Sequence, residues 1–193
     1  MKKTLLILSV AILTLTVNAQ EKTQFGATAG VNFSNLTSKG FAGSNSKQGF
    51  YIGLLAEIPF GKRFSIQPEI LYSTQGSNVK IYSNGGSPSS SEFSLDYLQI
   101  PILAKVYLLK RFSIEIGPTF NFLLKDNGTN LSTFYSSKFA KSFEFGGVIG
   151  TSYKFKNGLF LDAKYIQGFS KAFNLGLYPV KNTVFQLGIG LLF

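Results

Sequence analysis

No cysteine and no histidine occur anywhere in the 193 residues, and the only arginines are Arg63 and Arg111. Without cysteine there is no disulfide and no thiol to carry a lipid anchor, so packing or surrounding lipid must hold the fold together. Lacking both residue types, the chain has no Ser-His-Asp or Cys-His nucleophilic site, no imidazole proton shuttle and no usual zinc ligand set. Neither catalysis nor a metal or cofactor is expected. From residue 24 onward a helical 3.6-residue period is missing too. The formal charge is +10, but the lysines are scattered and the two arginines stand in separate short turns, which argues against nucleic acid as the partner. Acidic lipid head groups are the expected counterpart.

What is present begins with "MKKTLLILSVAILTLTVNAQ". A basic start, an apolar run too short to span a bilayer and a small residue at Ala19 make a secretory signal peptide, cleaved between Ala19 and Gln20. Residues 20–193 then form one exported domain.

That domain repeats one unit, about ten residues of alternating character followed by punctuation. Eight units run over 24–34, 48–60, 63–75, 92–108, 111–124, 141–155, 158–169 and 182–193. The connectors alternate in size. "GK", "LK" and "KNG" are tight turns after the second, fourth and sixth units. The others are longer and rich in Ser, Asn, Gly and Lys, and the longest reads as a hairpin tip at Asn84 and Gly85 followed by a flexible serine tract. Short turns on one rim and long loops on the other predict an all-β, eight-stranded antiparallel up-and-down transmembrane β-barrel of an outer membrane, with the short turns in the periplasm.

The alternation also sorts side chains by face. Phe112, Ile114, Ile116, Phe120 and Phe122 oppose Ser113, Glu115, Gly117, Thr119 and Asn121 in the fifth unit. The same phase puts Glu57, Glu69, Lys105, Glu115, Glu144, Lys154, Asp162 and Lys164 on the polar side. A soluble barrel has the same period with its apolar face inward. Here the polar face is too rich in glycine and too poor in charge for water exposure, and the apolar face carries most of the 20 phenylalanines, so lipid is expected outside. A lysine facing lipid at the midplane costs roughly 2 to 4 kcal/mol, which pins the register at Lys105 and Lys164. Four prolines, Pro59, Pro68, Pro101 and Pro118, fit a closed sheet badly; the explanation is a bulge or a position near the rim, and a bulge would flip the phase on one side of it.

An eight-stranded interior is only wide enough for side chains to fill. The eight inward charges are therefore expected to neutralise one another as a lumen charge network that plugs the barrel, leaving the long loops to interact with partners. The alternative is a narrow path for small solutes or ions lined by the same charges, and the discriminating feature is whether the inner glycines of strands one, six and eight leave a gap. Loop-side lysines, Lys39, Lys47, Lys80, Lys125, Lys138, Lys141, Lys171 and Lys181, suit the phosphates of lipopolysaccharide.

The stretches "FGATAGVNFSNL", "RFSIQPEILYSTQGS", "DYLQIPILAKVYL" and "RFSIEIGPTFNFLL", with the terminal phenylalanine, resemble the small outer-membrane β-barrel domain family labelled porin-family or PorT-like. The resemblance covers residues 24–193 and implies the fold and the compartment and, since the family also carries prolines in strands three and four, that Pro68 and Pro101 are accommodated; members are of different or unknown role, and a barrel subunit of an envelope secretion or assembly system is a further alternative for this chain. It also bears on "NTVFQLGIGLLF". Phe185, Leu187, Ile189, Leu191 and Phe193 share one face of a strand, and such an ending looks like the signal that the barrel-assembly machinery reads by strand addition.

Overall fold

The computed structural model describes residues 22–37, 44–81, 89–126, 141–170 and 181–193. Alternating sequences with no helical period can satisfy their backbone only by pairing laterally, and eight of them close on themselves. The strands are β1 (Gln24–Thr37), β2 (Ser44–Pro59), β3 (Phe64–Ile81), β4 (Ser89–Tyr107), β5 (Phe112–Asp126), β6 (Phe143–Lys154), β7 (Leu159–Gly168) and β8 (Lys181–Leu192). Each pairs antiparallel with its sequence neighbour, and β8 returns to β1 to complete a closed barrel. At the seam Phe193 N donates to Phe25 O at 2.8 Å, and Phe25 N donates to Phe193 O at 3.3 Å. Closure leaves no sheet edge, which is the condition for backbone to sit in hydrocarbon.

The short connectors 60–63, 108–111 and 155–158 lie at one end, where Phe60, Leu108 and Phe155 donate backbone N–H to Phe64, Phe112 and Leu159. Gly158 has φ of 84°, and a side chain there would also strike the Leu192 carbonyl, so this turn requires glycine. At the other end β3 and β4, 18 and 19 residues long, overshoot the others. A membrane crossing takes about 9–11 residues per strand, so this hairpin extends past the bilayer. Ser89, Ser90 and Ser91 belong to it, paired with Ile81, Lys80 and Val79. These three serines are thus strand, correcting the expectation of a flexible segment: the ladder with β3 fixes their backbone. Asn84 and Gly85 lie outside the described residues.

The apolar faces point outward. Leu54, Ile70 and Ile116 are 66%, 59% and 58% exposed, whereas Glu69, Glu115 and Gln186 are buried. A water-soluble barrel would show the reverse, so the surroundings are lipid. Toward the loop end the outer face carries aromatic pairs, Phe33–Phe185, Phe50–Tyr72 and Phe122–Phe143 among them. Phe25, Phe60, Phe64, Tyr153, Phe155 and Phe193 mark the short-turn end. The path from Phe25 to Phe33 along β1 is about 26 Å at ~3.3 Å per residue. A strand tilt of about 40° reduces that to about 20 Å, near the ~25 Å apolar band of an outer-membrane barrel.

The prolines do not flip the phase. Pairing keeps one register on both sides of Pro68 (Leu55↔Glu69 and Ile58↔Ile66), of Pro101 (Pro68↔Ile102 and Leu71↔Gln99) and of Pro118 (Pro101↔Thr119 and Ala104↔Ile116). A proline removes one donor without inserting a residue, so alternation runs through it. The register shifts lie elsewhere, between Ser46 and Tyr51 and between Asp96 and Tyr97, nearer the loop end. At the second the extra residue is Leu124 of β5, since Asp96 pairs with Lys125 and Tyr97 with Leu123, and opposite it Leu95, Asp96 and Tyr97 are buried in succession.

Candidate functional site

Residues at every second position of eight strands converge in the lumen, and the eight singled-out charges all stand on that face. Seven form one connected set. At the short-turn end, Glu57 accepts hydrogen bonds from Tyr107 and, at 3.3 Å, from Ser65. Its other oxygen lies 3.7 Å from Lys105 Nζ and 3.9 Å from Lys154 Nζ, and Lys154 donates to Gln24. Lys105 Nζ is also 3.2 Å from Glu115 Oε1 and donates to Gln67 Oε1 at 2.9 Å. Gln67 Nε2 in turn donates to Glu69 Oε1 at 2.7 Å. Lys164 grips both oxygens of Glu69, at 2.7 and 2.9 Å, and lies 3.9 Å from Asp162 Oδ2. Tyr51 closes the chain by donating to Asp162 Oδ1 at 3.1 Å.

Four carboxylates thus share three amines, all but Lys154 deeply buried. In low dielectric each unpaired charge would be costly, so the members depend on one another. Glu115 depends on charge most: among the described residues neither of its oxygens has a hydrogen bond of good geometry, and Lys105 is its ion-pair partner.

Glu144 stands apart. It accepts from the Tyr97 hydroxyl, and no lysine or arginine lies within ion-pair distance of it among the described residues. Its surroundings are neutral. Gln186 Nε2 donates to Asn32 Oδ1 at 2.9 Å, Asn32 and Gln75 both donate to Ser73 Oγ, at 3.0 and 2.9 Å, and Asn182 donates to Gln75 at 2.6 Å. Leu103, Val148, Ile166 and Val184 form a buried apolar cluster on β4 and β6 to β8, on the loop side of Lys105 and Lys164, while Gln186 pairs with Lys164 on its short-turn side. A second cluster, Leu55, Phe160 and Leu192, lies beside the charges at the short-turn end. The lumen is therefore not uniformly charged: the ion network fills the short-turn half, and toward the loop end the charges Glu144 and Lys47 stand among amides and hydroxyls. On β4 and β7 the larger apolar cluster follows Lys105 and Lys164 directly toward the loop end.

The inner glycines are where larger neighbours enter. A β-carbon at Gly188 would collide with the Tyr51 hydroxyl, one at Gly190 with the Phe160 ring, and one at Gly30 with Tyr51 and the Leu187 carbonyl. At Gly150 the Lys164 stem would lie 3.0 Å away. The space that glycine leaves is occupied by these side chains.

Tyr97 and the amide cluster escaped the sequence reading, although continuing the β4 phase from Lys105 through Gln99 reaches Tyr97. Lys47, expected on a loop, belongs to β2 and is 8% exposed, because its alternation with Gln48 and Ser46 turns it toward the lumen. Lys125 and Lys181 are exposed at the loop end and Lys141 is half-buried. Lys80 lies in β3, and Lys39, Lys138 and Lys171 fall outside the described residues, as do Ala19 and Gln20. Phe185, Leu187, Ile189, Leu191 and Phe193 all face outward, Phe193 at 75% exposure.

A closed eight-stranded barrel with apolar exterior and polar interior defines an integral outer-membrane protein. The chain belongs to the outer membrane protein beta-barrel domain family, whose model matches residues 18–174, and its place is the outer membrane of a Gram-negative envelope. Among solved structures it is similar to Neisserial surface protein A (NspA), with a TM-score of 0.57 at 16% identity over 89% of this chain and 99% of that one. Ail, the attachment invasion locus protein of Yersinia pestis, in complex with the heparin analogue sucrose octasulfate, gives 0.56 at 14% over 90% and 100%. OprG from Pseudomonas aeruginosa gives 0.55 at 13% over 90% and 97%. A search of curated protein sequences finds no match.

Proposed function

We propose that this outer-membrane barrel is plugged and non-enzymatic, with a structural or interaction role carried by its loop end. The observation that carries the reading is the unbroken contact chain Lys154–Glu57–Lys105–Gln67–Glu69–Lys164–Asp162–Tyr51, which crosses the lumen while Tyr51 and Phe160 occupy the glycine gaps. An aqueous path would have to part several charge-assisted contacts at once. The test is conductance of the refolded protein in a planar bilayer, with folding checked by heat-modifiable gel mobility. Silence from folded protein is the expected result; discrete steps altered by Lys105 or Glu115 substitution would assign it to narrow solute channels instead.

Three further roles belong to this reading. The leader ending at Ala19 is removed to expose Gln20. The outward stripe from Phe185 to Phe193 serves the barrel-assembly machinery as a recognition strand, an idea supported by its place at the seam with β1. Lys125 and Lys181, exposed at the loop end, are positioned for lipopolysaccharide phosphates.

A further inference from the structure

The two arginines looked isolated in the sequence, yet the fold brings their turns to one place. Tyr107 N donates to Arg63 O and Lys154 N to Arg111 O, so the turns 60–63 and 108–111 are laced to the neighbouring strands around one mouth. That mouth is a cavity of about 880 Å³ at the short-turn end. Lys22, Lys62, Arg63, Lys110, Arg111 and Lys156 line it, together with Lys154 and a single carboxylate, Glu57. Glu57 is already engaged by Lys105 and Lys154. Among the described residues none of the other six cations has a carboxylate within ion-pair distance.

Six unpaired positive charges around one concavity repel one another, and low-dielectric walls focus their field into it. Solvation alone accounts for lysines spread over a convex surface, but less well for a ring of them about a recess that ends at the buried ion network. Two guanidinium forks suit the oxygens of a doubly charged oxyanion, and a phosphate group carries about −1.5 to −2 at neutral pH. Apolar side chains on the same rim, Phe64, Leu108, Leu109 and Phe155, would lie beside the acyl chains of a phospholipid whose head group reached inward.

We propose that the short-turn mouth is a binding seat for a phosphate-bearing anion, entering from the periplasmic side either as a soluble phosphate or as a head group of the inner leaflet. The seat does not depend on whether the lumen conducts.

The test is calorimetric titration of the full refolded chain in phosphatidylcholine nanodiscs with inorganic tripolyphosphate, at low and at raised ionic strength. One saturable site per chain is expected, weakened about tenfold or more by Arg63→Gln with Arg111→Gln. Lys125→Gln with Lys181→Gln removes the same charge from the opposite rim and should leave it unchanged. If the arginine variant does not fold, Lys62→Gln with Lys110→Gln, both on exposed turns, takes its place. No saturable binding, equal affinity in the mouth variant, or loss in the loop-end control would each overturn the proposal. Adding phosphatidylglycerol to the nanodiscs separates the sources: competition with tripolyphosphate in the wild type identifies a lipid head group, and undiminished binding identifies a soluble phosphate.

Discussion

The two halves of the lumen solve the same burial problem by different chemistry. Toward the short-turn end the filling is ionic; toward the loop end amides and hydroxyls fill it around Asn32, Gln75 and Ser73, and the two meet where Gln186 pairs with Lys164 and Ser73 with Tyr51. An ionic filling is geometrically demanding, since removing one partner strands another charge in low dielectric. An amide cluster is forgiving, because each group is neutral and can turn to a new partner or a water. The short-turn half should therefore be the rigid part of the molecule and the loop-end half the adaptable part, next to the loops that face outward.

The largest effect should come from Lys164→Met, which leaves Glu69 and Asp162 without their shared amine. A loss of about 3–5 kcal/mol is expected, read as a lowered urea midpoint with folded and unfolded forms separated by gel mobility. Adding Glu69→Leu should recover part of it; no recovery would mean that the damage is steric rather than electrostatic. Glu115→Ala should cost less, about 1–3 kcal/mol, because Lys105 keeps Glu57 and Gln67. An unchanged midpoint would argue against a packed ion network at that level. In the amide cluster Gln186→Leu removes the donor to Asn32 and should cost only about 1 kcal/mol; a loss as large as that of Lys164→Met would erase the distinction between ionic and amide filling. Smallest in stability is deletion of Phe193, which removes one seam pair with Phe25 at the very end of β8. Its expected consequence is a fall in assembled protein in cells with nearly unchanged stability in detergent. Equal amounts of heat-modifiable barrel in outer membranes would contradict the recognition role.

Strand number, pairing order and the inward phase of all eight charges were legible because period-2 alternation is local, and because short and long connectors alternate. The proline positions left the phase beside them open, since proline statistics describe open edges while the register here is set by both flanking strands. Contacts across the barrel were not legible. Nothing in the spacing of Tyr51 and Gly188 says that one fills the space left by the other, and nothing near Arg63 announces Arg111 and Lys22 around one mouth. Such pairings depend on barrel diameter and strand stagger, which are properties of closure and not of any single strand. The apolar cluster was largely legible: Leu103, Val148 and Val184 share the polar-side phase of their strands, and Ile166 completes the cluster in three dimensions.

The absence of native cysteine allows the central claim, that the lumen is closed by side chains, to be tested with single introduced thiols. Val184→Cys sits in the buried apolar cluster and Lys62→Cys at the short-turn mouth. In folded protein in lipid, a small water-soluble thiol reagent should label position 62 readily and leave position 184 unreacted until the barrel is unfolded. Labelling of position 184 at a rate comparable with position 62 would mean that water reaches the packed lumen, and would contradict the account.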